Sequence, residues 1–157
     1  MKIIDSKEFR KLYRVICFVL FSVYMMVLIN LLFFDIRYGR VTGIKGCNLV
    51  PFKTIRNYII NRKYVNDSVV ITNILGNIFA FIPFGFFVPT LFIKTRCFIK
   101  VILISGLLSL LVELMQYKFA VGTFDVDDII LNTIGGFVGY IVFKICFNIY
   151  YKLLHKE

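Results

Sequence analysis

Four stretches of this chain are almost free of charge, and each is long enough to cross a lipid bilayer. They run from about 15 to 34, 69 to 93, 98 to 117 and 129 to 151, against the roughly 20 apolar residues that a helix needs to span about 30 Å of hydrocarbon. The only charges inside them are Lys100, Glu113 and Lys144. A backbone in hydrocarbon must satisfy its polar groups within its own segment, so the chain is expected to be an all-α, four-span membrane protein, folded as a single domain over residues 1–157. Only 18% of its residues are charged and 59% are hydrophobic. A soluble domain is about a quarter charged, so an ordinary soluble enzyme, a secreted disulfide mini-domain and a disordered chain are all excluded.

The first stretch follows Lys7, Arg10, Lys11 and Arg14 and precedes Asp35-Ile36-Arg37-Tyr38. It has no small-residue cleavage site and reads as a retained anchor, not a signal peptide. Lysine and arginine are densest in the short N-terminal tail and in the tight connection holding Lys94, Arg96 and Lys100. Short loops weigh most in the positive-inside rule, which puts both termini in the cytoplasm and the loop from 35 to 68 outside.

Residues three or four apart share a helix face. On that spacing Asn73, Asn77 and Ala80 form a stripe in the second span with Gly76 beside it, and Ser105, Ser109, Glu113 and Gln116 form one in the third. Asp128, Asn132, Gly135 and Gly139 continue the pattern in the fourth, the last two as a GxxxG that lets backbones approach and offers a face for an oligomer. Such stripes face the bundle interior, because a carboxylate or amide against lipid is costly. Span direction carries Asn77, Glu113, Gln116, Asp125, Asp127, Asp128 and Asn132 to the outer-leaflet level. Glu113 and Asp128 are the candidates for any catalytic role, with Asn132 beside them. The plainer alternative is that the amides tie helices together and that Asp127 and Asp128 sit at a helix N-terminus, where the dipole favours negative charge.

The outer loop carries Arg37, Arg40, Lys45, Lys53, Arg56, Arg62 and Lys63 against Asp35 and Asp67. That excess fits anionic headgroups or an anionic wall polymer and gives no sign of nucleic acid. Pro51 forces a turn, and Thr54 to Tyr64, with Ile55, Tyr58 and Ile59 on one face, predicts a short interfacial helix. Cys17, Cys47, Cys97 and Cys146 show no metal or disulfide spacing, and His155 sits among tail lysines. No cofactor or metal motif is present.

NLVPF (48–52), NILGNIFAFIPFG (73–85), ELMQ (113–116) and FDVDDIILNTIGGFVGY (124–140) together resemble the VanZ-like family, small bacterial membrane proteins named for a teicoplanin-resistance accessory protein. The resemblance implies low-level resistance to teicoplanin, a lipoglycopeptide that captures the D-Ala-D-Ala end of wall precursors. It assigns the family's polar signature to Asn48, Pro51, Asn77, Pro83, Gly85, Glu113 and Gln116, and then to Asp125, Asp128, Asn132, Thr133 and Gly135. Many members have an Arg shortly before the acidic cluster, where this chain has Thr123, so its role is either missing here or passes to Lys118.

Two functions follow as expectations. One is a non-enzymatic protein that blunts teicoplanin at the outer leaflet by binding the drug, shielding a lipid-linked wall precursor or altering its display. The other is an intramembrane enzyme that modifies a lipid-linked or lipid-anchored wall component at Glu113 and Asp128, or through a divalent cation on Asp127 and Asp128. A transporter is disfavoured, since four helices without an internal repeat leave little room for alternating access.

Overall fold

The computed structural model describes residues 7–34, 46–61 and 67–154. Arg37, Arg40, Lys45, Arg62, Lys63 and His155 lie outside the described residues. Four long apolar helices, α1 (Lys7–Phe33), α3 (Asp67–Leu91), α4 (Phe98–Lys118) and α5 (Val126–Leu154), are long enough to cross a membrane. A short helix, α2 (Lys53–Ile60), precedes α3, and a single 3₁₀ turn at Ile93–Thr95 joins α3 to α4. Two-residue strands β1 (Cys47–Asn48) and β2 (Phe124–Asp125) pair in parallel, Cys47 opposite Phe124 and Asn48 opposite Asp125.

Helices α1 and α5 outrun the uncharged stretches because hydrogen bonding, not hydropathy, ends a helix. α1 starts at Lys7 and not at 15, since nothing between Lys7 and Arg14 breaks a helix and the basic side chains can reach past the hydrocarbon. α5 starts at Val126, three residues before the expected span. α4 stops in a Schellman turn: Ala120, at φ 53°, lets Val121 N–H bond the Gln116 carbonyl at 3.0 Å and Ala120 N–H bond that of Tyr117 at 3.3 Å. That reversal aims the chain at β1.

α5 is the axis of the bundle. It packs along α3 on one side and α4 on the other, and α1 lies against α3. The crossing of α3 and α5 is backbone on backbone. A Cβ on Gly139 would stand 2.0 Å from the Ile82 carbonyl oxygen, one on Gly135 2.2 Å from that of Ile78, and one on Gly85 1.9 Å from that of Gly136. The GxxxG of the fourth span is therefore filled by α3 of the same chain.

Leu28 and Leu32 of α1, Phe81, Phe84 and Val88 of α3, and Val112 of α4 make the main apolar core. Outward-facing Val19, Phe79, Leu107 and Ile145 are exposed, as suits side chains that meet lipid. α3 runs through Pro83 and Pro89, which lack an N–H and so deprive the Phe79 and Gly85 carbonyls of their usual donors. Neighbouring carbonyls also take side-chain donors: Tyr24 Oη bonds Ala80 at 2.7 Å, Thr95 Oγ1 bonds Val88 at 3.1 Å, and Arg96 Nε bonds Pro89 at 3.2 Å.

Candidate functional site: a carboxylate clasp at one end of the bundle

The chemistry gathers where α1 and α4 end and α3 and α5 begin. Helix α2 explains why. Its N-cap, Phe52, has a left-handed backbone (φ 63°) and gives no side-chain cap, and its first turn holds no acidic residue. The first amides of any helix lack intrahelical acceptors and sit at the positive end of its dipole. Here one carboxylate from the other end of the sequence supplies them: Asp127 accepts Phe52 N–H on Oδ1, and Thr54 N–H at 2.8 Å and Ile55 N–H at 3.1 Å on Oδ2.

Asp125 fastens the same segment by side chains. Its Oδ1 accepts Asn48 Nδ2 and the Asp127 N–H, both at 2.9 Å, and its Oδ2 accepts Thr54 Oγ1 at 2.6 Å. Asn48 Nδ2 also donates to Thr54 Oγ1 at 3.0 Å, and Asn48 Oδ1 accepts Val50 N–H at 3.2 Å, an Asx turn that feeds Pro51. Beneath them Glu113 Oε2 accepts the Asp125 N–H at 2.9 Å. Asp127 is wholly buried and Glu113 is 2% exposed. A buried carboxyl needs hydrogen-bond partners, and these have them.

The other expected residues act as separate rivets. Asn77 Nδ2 donates to Asp128 Oδ1 at 2.7 Å and joins α3 to α5; Asn132 Nδ2 donates to Ser109 Oγ at 2.8 Å and joins α5 to α4. Gln116 Nε2 reaches the Leu32 carbonyl at 2.8 Å and joins α4 to α1. Gly76 is half-buried on α3. Of the group Glu113, Asp128 and Asn132 expected from the sequence, Glu113 accepts from Asp125, Asp128 accepts from Asn77 and Asn132 donates to Ser109, while Asp127 turns toward α2. Among the described residues no three His, Cys, Asp or Glu side chains are grouped to hold a metal. Lys118 is exposed on the last turn of α4 and forms no hydrogen bond or ion pair with the cluster, and exposed Thr123 packs its methyl against Gly46. Ser105 Oγ, Gln116 Oε1 and Asn132 Oδ1 are buried in the bundle without a hydrogen-bond partner among the described residues.

Sequence reasoning missed Thr54 and Tyr58. The available signal was a helix whose first turn, Lys53-Thr54-Ile55, has no acidic residue and no Ser, Thr, Asp or Asn before it, so its acceptor had to come from elsewhere. Tyr58 leans over the cluster, and burial, then the charges of Asp128 and Asp125, push its phenol above the ordinary value of 10.0. The folded protein thus holds this proton more tightly than the unfolded chain, so stability is undiminished below about pH 10 and falls as pH rises beyond it. The phenolate absorbance of the protein minus that of Tyr58→Phe is expected to titrate above the ordinary range, and Asp128→Asn should bring it back toward 10. A Tyr58 that titrates normally would detach it from the cluster.

Four apolar helices and a polar clasp that binds a short amphipathic helix to one end of the bundle define a multi-pass membrane protein. The family model described as VanZ/LLP1 matches residues 21–147. Protein VanZ of Enterococcus faecium is 31% identical over 124 residues, 76% of this chain and 68% of that protein. The chain belongs to the VanZ/LLP1 family. No solved structure matches it.

Proposed function

We propose that this protein contributes to low-level teicoplanin resistance at the outer face of the bacterial membrane without making or breaking a bond. The observation that carries the reading is the use made of the carboxylates. Asp125 and Asp127 each accept three donors, which fills most of the lone-pair positions of a carboxylate, and Glu113 accepts the backbone of Asp125. Their work is to hold residues 46–61 in one pose. What that pose presents is a surface: Leu49, Val50, Phe52, Ile59 and Ile60 are exposed, with Lys53 and Arg56 among them. Apolar side chains with flanking cations suit the headgroup layer, where a lipid-linked wall precursor, an anionic wall polymer or teicoplanin itself would be met.

Orientation follows from charge. Arg10 and Arg14 of α1 and Arg96 beside the 3₁₀ turn lie at the end opposite the clasp, and basic residues in short segments favour the cytoplasm. The clasp then faces outward and both termini inward. The test is the susceptibility of a sensitive Gram-positive host with and without the protein. The reading requires protection from teicoplanin; unchanged susceptibility to teicoplanin and to vancomycin alike would sink it.

A further inference from the structure

At the end away from the clasp, α1, α3 and α5 leave a cleft of about 480 Å³, within the size range of small-molecule sites. Its lining is mostly apolar, with Cys17, Phe86, Leu91 and Cys146, and includes Arg10, Arg14 and Arg96. No carboxylate lines it among the described residues. Arg10 and Arg14 are four residues apart on one face of α1. Arg96 is held in place from three sides. Its guanidinium carbon lies 4.8 Å from the centre of the Phe147 ring and 5.8 Å from that of Phe143, its Nε donates to the Pro89 carbonyl at 3.2 Å, and its own carbonyl accepts Tyr140 Oη at 3.2 Å.

Three arginines lining a mostly apolar cleft at the end of a membrane helix bundle suit an anionic amphiphile. We infer that the cleft binds one anionic glycerophospholipid, its phosphate between Arg10, Arg14 and Arg96 and an acyl chain running inward past Cys17, Phe86 and Cys146. Guanidinium is the side chain suited to phosphate, which it meets with paired donors. Basic pockets between helices bind anionic headgroups in the same way. The site is separate from the clasp and does not depend on the function proposed for it.

The test is retention of phosphatidylglycerol and of phosphatidylcholine by the full-length protein in detergent, followed by native mass spectrometry. Phosphatidylglycerol should bind at least about tenfold more tightly. Each guanidinium removed should weaken it about fivefold and the triple Arg→Gln variant about a hundredfold. Arg14→Gln carries the test alone if the triple variant does not fold, because Arg14 makes no hydrogen bond or ion pair among the described residues. Cys146→Trp, which fills the cleft without changing charge, should also exclude the lipid, whereas Lys152→Gln, outside the cleft, should leave binding intact. Equal retention of the two lipids, retention that survives both Arg14→Gln and Cys146→Trp, or displacement by millimolar inorganic phosphate would each overturn the assignment.

Discussion

Gly139→Ala is expected to remove most of the folded protein from the membrane, although it adds one methyl group. The new carbon would lie 2.0 Å from the Ile82 carbonyl oxygen and 2.9 Å from the Phe86 nitrogen, both of them backbone atoms in the middle of α3. A flexible side chain could turn aside, but here α3 must move as a rod, and the same motion would strip contacts at Gly135 and Gly85. Overpacking commonly costs about 1 to 3 kcal/mol, and a clash with backbone belongs at or above the top of that range. Gly106→Ala supplies the contrast. Its Cβ would meet only Thr133 Oγ1 at 3.3 Å, a hydroxyl able to yield a few tenths of an ångström. Gel filtration of detergent-extracted protein should show near-normal recovery of Gly106→Ala and heavy loss of Gly139→Ala. Equal recovery of the two would contradict the crossing of α3 and α5.

Asp127→Ala is expected to release residues 46–61 from the bundle while the four long helices stay assembled. The substitution removes the acceptor for three amides at the start of α2 and leaves them facing a methyl group. Hydrogen bonds to a charged partner are worth about 1.5 to 3 kcal/mol each, and even with strong non-additivity the loss exceeds about 3 kcal/mol. At about 1.4 kcal/mol per tenfold, hydrogen exchange at Phe52, Thr54 and Ile55 should accelerate by at least about 100-fold. Asn77→Ala, which loses only a bond to Asp128, should leave those amides within a fewfold of their original protection. Unchanged exchange in Asp127→Ala would mean that the segment is held by something other than the clasp.

The membrane-spanning architecture was legible in the sequence because hydrocarbon imposes a length and a composition that can be read locally. The stripes were legible too: Ser105, Ser109, Glu113 and Gln116 are all buried on one face of α4, as their spacing required. Partners were not. Periodicity states which face a side chain occupies and is silent on what stands opposite, so Gly135 and Gly139 read as a close-approach face without showing that α3 is the helix that fills it. Nor could hydropathy foresee β1 with β2. Two residues pair with two others 77 positions away, and no local pattern announces a contact set by the turn after Ala120 and by the need of α2 for an acceptor. The short interfacial helix was legible, and its end at Ile60 differs from the expected Tyr64, which lies outside the described residues.

Glu113 separates a structural clasp from a catalytic one. Glu113→Gln keeps an oxygen able to accept the Asp125 N–H now bound at 2.9 Å, but an amide cannot act as general acid or base. The decisive measurement is the teicoplanin susceptibility, with vancomycin in parallel, of a sensitive host making the protein, Glu113→Gln or Asp127→Ala at matched membrane levels. A non-enzymatic surface held by the clasp predicts protection from teicoplanin that Glu113→Gln retains and Asp127→Ala loses. Protection abolished by Glu113→Gln, with α2 amides still shielded from exchange, would contradict that account and make Glu113 a proton-transfer group.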